Sequence, residues 1–162
     1  MRPAPVTAVL LLVALSFMRN SAAGIIRRNI PKYCESIMSP ESCDPGWYRL
    51  DASHCMKEAP IKATFDDAES FCQSEGGHLV KIGIFWSHYR AMCMMIFEKS
   101  ETASYWVGAR RQQDGTYEWT DGSGPVALRN PSDNNDCVEL FWGHWNFVPC
   151  SSTRNFVCQK VM

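Results

Sequence analysis

Apolar and polar positions alternate most clearly toward the C-terminus. Val138, Leu140 and Trp142 interleave with Glu139, Phe141 and Gly143, the two-residue period of a strand with one face on a core. A turn at Gly143 and a second apolar stretch, Trp145 to Val148, predict an antiparallel neighbour. Upstream, Trp47 to Leu50 and Cys55 to Lys57 flank the turn Asp51-Ala52-Ser53 and predict a hairpin. Phe65, Ala68, Phe71 and Cys72 then fall on one helical stripe. Thr64 supplies a capping hydroxyl to that helix, Asp66 and Asp67 lie where its dipole favours acids, and Gly76-Gly77 ends it.

Leu79 to Ile82 predict a strand, and Ser87 to Glu98 a second helix with Ala91, Met94, Met95 and Phe97 toward the core. Tyr105 to Arg110 and Thr116 to Trp119 predict two more strands around Gln113-Asp114-Gly115. Asp121-Gly122-Ser123-Gly124-Pro125 breaks regular structure and opens a long polar loop, Gly122 to Asp136. Long loops on a rigid base are where binding usually resides. The order of hairpin, helix, strand, helix and several short strands predicts an α+β fold.

The chain has 162 residues, 46% of them hydrophobic, enough for one domain with a real core plus small extras. Its net charge of -1 and the lack of a basic run argue against a nucleic-acid partner. The N-terminus changes the picture more. Arg2 precedes an apolar run from Val6 to Phe17, and Ser21-Ala22-Ala23 offers small residues, which predicts a signal peptide over 1–23 cut after Ala23. The run stops at Met18 and Arg19, too short to span a bilayer, and no second one follows. The expected product is secreted and extracellular, with no membrane span.

Residues 24–42 form an N-terminal extension containing Arg27-Arg28 and Cys34, best explained as an exposed charged linker. The folded domain is expected over 43–160. All eight cysteines follow the predicted cut, an even number for an oxidising compartment, and no Cys-x-x-Cys pair suggests metal. Cys43 and Cys55 flank the first hairpin, where a bridge would be worth about 3 kcal/mol in the chain-entropy model. Cys137 and Cys150 sit at the ends of the last one, where a bridge would hold the long loop against its base.

Residues 43–160 resemble a C-type lectin-like domain of the long form. The resemblance rests on the Cys-flanked opening hairpin, on Cys72, Gly76, Gly77 and Leu79, on Trp106-Val107-Gly108-Ala109, on Cys137-Val138-Glu139-Leu140, and on Trp145-Asn146-Phe147 with Cys150 and Cys158. It implies two helices, two small antiparallel sheets and a long disulfide-anchored loop. It also implies the pairs Cys43 with Cys55, Cys72 with Cys158 and Cys137 with Cys150, which spacing alone does not choose. Cys34 and Cys93 are left over, either as a fourth internal bridge or with Cys34 linking a dimer.

Sugar-binding members of that family hold calcium through a Glu-Pro-Asn type triplet, a Glu shortly before the third-last Cys and the Asn-Asp of Trp-Asn-Asp. Carried over, these become Asn130-Pro131-Ser132, Asn135, and Asn146-Phe147, with Asn or Phe at three expected carboxylates. Calcium wants six to eight oxygens and depends on their charge, so the expectation is no resident metal or cofactor, or calcium held only weakly. Asp121, Asp133 and Asp136 lie nearby, but Asp and Asn also suit an exposed turn.

Phe147 with Phe141, Trp142 and His144 could instead form an apolar patch for a sugar face or a protein partner, against which stands a core role, expected above all for Trp145. The candidate ligand residues are therefore Asn130, Pro131, Ser132, Asn135, Trp142, Asn146 and Phe147. His54, His78, His88 and His144 are scattered outside any catalytic motif, and the first two suit turns, so no enzyme is expected. The expected function is recognition of a glycan with weak or no calcium dependence, or alternatively of an extracellular protein ligand.

Overall fold

The computed structural model describes residues 34, 42–82, 90–95, 103–128, 134–141 and 144–162. All lie within one compact unit, Tyr33–Met162. Strands β1 (Tyr48–Arg49) and β2 (His54–Glu58) form the opening hairpin, followed by helix α1 (Phe65–Ser74) and the short β3 (His78–Leu79). Then come β4 (Tyr105–Arg111), β5 (Tyr117–Trp119), β6 (Cys137–Phe141), β7 (His144–Val148) and β8 (Asn155–Val161). Residues 90–95 are helical, with Ala91, Met94 and Met95 buried as expected. Phe97 and the remainder of that predicted helix lie outside the described residues.

The strands make an antiparallel group of β1, β2, β3 and β8 and another of β4, β5, β6 and β7. A short parallel pairing, Tyr105 with Asn155 and Trp106 with Phe156, joins the two into one path of order β1-β2-β8-β4-β6-β7. Neither this join nor β8 itself is marked by the pattern along the chain. β8 pairs with β2, β3 and β4, so every residue from Asn155 to Gln159 is buried on both faces. A two-residue alternation cannot mark such a strand.

Thr64 caps α1 as expected, its hydroxyl accepting from the Asp67 N–H at 3.4 Å. Phe65, Ala68 and Cys72 face inward, and the Phe71 ring meets Phe156 edge-on at 5.4 Å between centroids. The helix ends where Gly76 takes a φ of +84°, a conformation cheap only for glycine. At Gly77 an added Cβ would lie 2.0 Å from the Gln159 carbonyl oxygen, so the absence of a side chain lets the chain run against β8.

Three expectations change. Only Tyr48 and Arg49 of 47–50 pair as strand: the Trp47 N–H donates to Asp44 O at 2.9 Å in the preceding turn, and the Leu50 N–H to His54 O at 2.8 Å where the hairpin closes. The strand expected over 79–82 covers 78–79, although the Val80 N–H still donates to Val157 O at 2.8 Å. His54 and His78 open strands β2 and β3 instead of sitting in turns. The internal bridge between Cys34 and Cys93, the first of the two alternatives, is present, and the Cys34-linked dimer falls away. The other bridges are Cys43–Cys55, Cys72–Cys158 and Cys137–Cys150, and no described cysteine is free.

Candidate functional site

The base of the long loop is built by β5, β6 and β7. Cross-strand partners point to the same face, so Val138 opposite Phe147 and Leu140 opposite Trp145 place both aromatic rings on the side of the larger core cluster. Ala109 opposite Trp119 and Arg111 opposite Tyr117 put the β5 aromatics there too. Two strands intervene between β5 and β7, and in a flat sheet this would separate them by about 14 Å. The rings nevertheless meet in two edge-to-face rungs, Tyr117 with Phe147 at 5.3 Å and Trp119 with Trp145 at 6.0 Å between centroids. The sheet therefore curls until side chains of its outer strands close over the core.

The loop is fastened to this base at both ends. At its start the Trp119 N–H donates to Gly124 O at 3.1 Å and the Val126 N–H to Tyr117 O at 2.7 Å, while Val126 and Leu128 pack against the core cluster. Asp121 accepts from the Ser123 N–H at 2.9 Å and lies 3.3 Å from Lys81 Nζ. Burial alone would raise the Asp121 pKa, but the Ser123 hydrogen bonds and the Lys81 charge together hold it below 3.8. At the loop's end the Tyr117 hydroxyl donates to Asn135 O at 2.7 Å, the Asn135 Nδ2 donates to Phe147 O at 3.2 Å, and the Arg111 N–H donates to Asp136 O at 2.8 Å. Cys137–Cys150 follows directly.

Of the candidate ligand residues, Asn130, Pro131, Ser132 and Trp142 lie outside the described residues. Asn135 and Phe147 are brought together through Tyr117, and Phe147 is half-buried against the core, which trims the aromatic patch expected there. Trp145 is likewise half-buried, Phe141 half-buried and His144 exposed. Asn146 turns to the opposite side of β7, where its Nδ2 donates to Glu139 Oε1 at 3.4 Å.

Glu139 itself departs from the one-faced strand expected for β6: it is only 6% exposed, because both faces of β6 are covered. Its charge is compensated by the Nε of Arg154, whose guanidinium also lies 5.7 Å from the Trp106 ring centroid. Tyr117, Glu139 and Arg154 were not singled out by the sequence. The available signal was the matched aromatic spacing, Tyr117 and Trp119 against Trp145 and Phe147.

Among the described residues, no three His, Cys, Asp or Glu side chains gather as a metal set. Ser53, His54 and Asp51 cluster in the first hairpin, but Ser53 Oγ at 3.3 Å and Asp51 Oδ1 at 2.9 Å both approach the same Nδ1 of His54. A proton relay needs the two ring nitrogens to face different partners, so this trio is a turn lock. Burial raises the Asp51 pKa, yet the Ser53 and His54 hydrogen bonds and the His54 charge leave it lowered. No described helix is long and apolar enough to cross a membrane.

Comparison with known proteins bears on the arrangement as a whole. The family model "Lectin C-type domain" matches residues 61–160. The chain is 34% identical over 129 residues to the alpha-1 subunit of the snaclec agglucetin of Deinagkistrodon acutus, covering 73% of this chain and 82% of that one. It is 31% identical over 129 residues to one of the subunits of the snaclec coagulation factor IX-binding protein of Protobothrops flavoviridis, covering 72% and 98%. The carbohydrate-recognition domain of the human scavenger receptor C-type lectin superposes with a TM-score of 0.63 at 26% identity, covering 75% of this chain and all of that one. Domains of this kind bind glycans or proteins. The matched segment, the fold and these relatives together show that the chain belongs to the C-type lectin domain family.

Proposed function

We propose that this protein is a secreted recognition module that binds a glycan at the long loop without depending on calcium. The observation that carries the proposal is the state of the described positions corresponding to the family's calcium ligands. Phe147 has no side-chain oxygen and packs on Tyr117, and the Asn135 amide is engaged with the Phe147 carbonyl. Asn146 is turned to Glu139, whose carboxylate is already neutralised by Arg154. A hard divalent cation needs several charged oxygens to offset the loss of its water, and this donor set does not fit one.

Recognition then falls to neutral amides and half-buried rings on a rigid base, groups suited to hydrogen-bonding sugar hydroxyls and covering a sugar face. Secretion is supported by the predicted signal peptide over 1–23 and by the internal bridging of all eight cysteines.

A second reading, a protein ligand in place of a sugar, is favoured by the similarity to part of a factor IX-binding protein. A glycan array probed with and without a chelator separates the two. Binding that survives the chelator is expected. Binding abolished by it contradicts the proposal, and silence under both conditions moves the reading to a protein ligand.

A further inference from the structure

Three groups meet at the end of the long loop in a closed triangle. Tyr117 on β5 gives its hydroxyl to the Asn135 carbonyl at 2.7 Å, Asn135 gives its side-chain N–H to the Phe147 carbonyl at 3.2 Å, and the Phe147 ring returns to the Tyr117 ring at 5.3 Å. From this geometry we infer that Tyr117 is a positioning residue for ligand recognition, holding the foot of the loop in place by a brace made wholly of protein. The inference rests on the calcium-independent reading and names the device that makes an ion unnecessary.

The brace has the properties such a role requires. Tyr117 is only 4% exposed, so its ring is fixed by the core while its hydroxyl reaches the loop. That hydroxyl meets a backbone carbonyl, and therefore sets the path of the chain and not merely a side-chain orientation. The foot is bonded onward, because the next residue, Asp136, accepts the Arg111 N–H at 2.8 Å and ties the loop to β4. Losing the hydroxyl leaves a carbonyl without its donor and loosens Asn135 and Asp136 together. Asn135 and Phe147 thus close the triangle, and Tyr117 acts at the site through them.

Amide hydrogen exchange on the full mature chain tests this with Tyr117→Phe, which keeps the ring and removes the hydroxyl. The Arg111 amide is the reporter, with the Leu79 and Val80 amides, bonded to Glu69 and to Val157 O, as references. The expected result is on the order of a five-fold faster exchange at Arg111, the equivalent of one net hydrogen bond, with the references unchanged. Unchanged exchange at Arg111, an equal rise at every amide, or glycan-array binding by Tyr117→Phe as strong as the wild type's overturns the inference. Adding calcium to the wild-type protein distinguishes the two levels. Slower Arg111 exchange with calcium counts against calcium independence, while the Tyr117→Phe comparison still decides whether the brace exists.

Discussion

Glu139 shows how a single side chain can carry both stability and the character of the site. Its carboxylate accepts from Asn146, and Arg154 holds it as an ion pair inside the sheet. Removing one partner of a buried pair leaves the other charge uncompensated, so Arg154→Ala should cost about 3 kcal/mol in chemical denaturation. Glu139→Gln should cost less, since the amide can still accept from Asn146 and Arg154 retains solvent access. Asp121 and Asp51 make a second prediction. Both have folded pKa values below the ordinary 3.8: burial, the largest single influence on each, opposes the shift and is outweighed by hydrogen bonds and the Lys81 or His54 charge together. A lowered carboxylate contributes stability above its unfolded value and loses it as pH falls through the folded value. The thermal midpoint should therefore drop as pH is lowered below about 4, and Asp121→Asn should flatten that drop.

At the level of elements, β8 pairs with three other strands, and at Gly77 the chain runs hard against its backbone. Gly77→Ala should destabilise by more than about 2 kcal/mol in a denaturant titration, because its Cβ would fall on backbone and not on a movable side chain. Thr64→Ala should cost about 1 kcal/mol through loss of the α1 cap. The cap was plain in the sequence, since a hydroxyl followed by two acids is a local signal. β8 was not, because its polar residues hide it. Asn155 is 2% exposed with its Nδ2 donating to Ser104 O, and Gln159 is 4% exposed with its Oε1 accepting from the Lys81 N–H. Those partners are 51 and 78 residues away, beyond what a local pattern can encode. Sequence separation hid Tyr117 too: a strand residue by its neighbours, it becomes part of the site only because the sheet curls toward Phe147.

Across the whole molecule, four bridges restrain the unfolded chain, the largest closing 86 residues between Cys72 and Cys158 and worth about 4.5 kcal/mol in the chain-entropy model. Peptide mapping without reduction should recover Cys34 linked to Cys93 and no Cys34-linked dimer. Calcium independence is the property on which the proposed function turns. Thermal unfolding of the mature protein with and without 1 mM calcium, about a hundred-fold above a 10 μM dissociation constant, tests it most directly. No shift in the midpoint is expected. A rise equivalent to about 2.7 kcal/mol, the stabilisation that such binding must supply, would contradict the account.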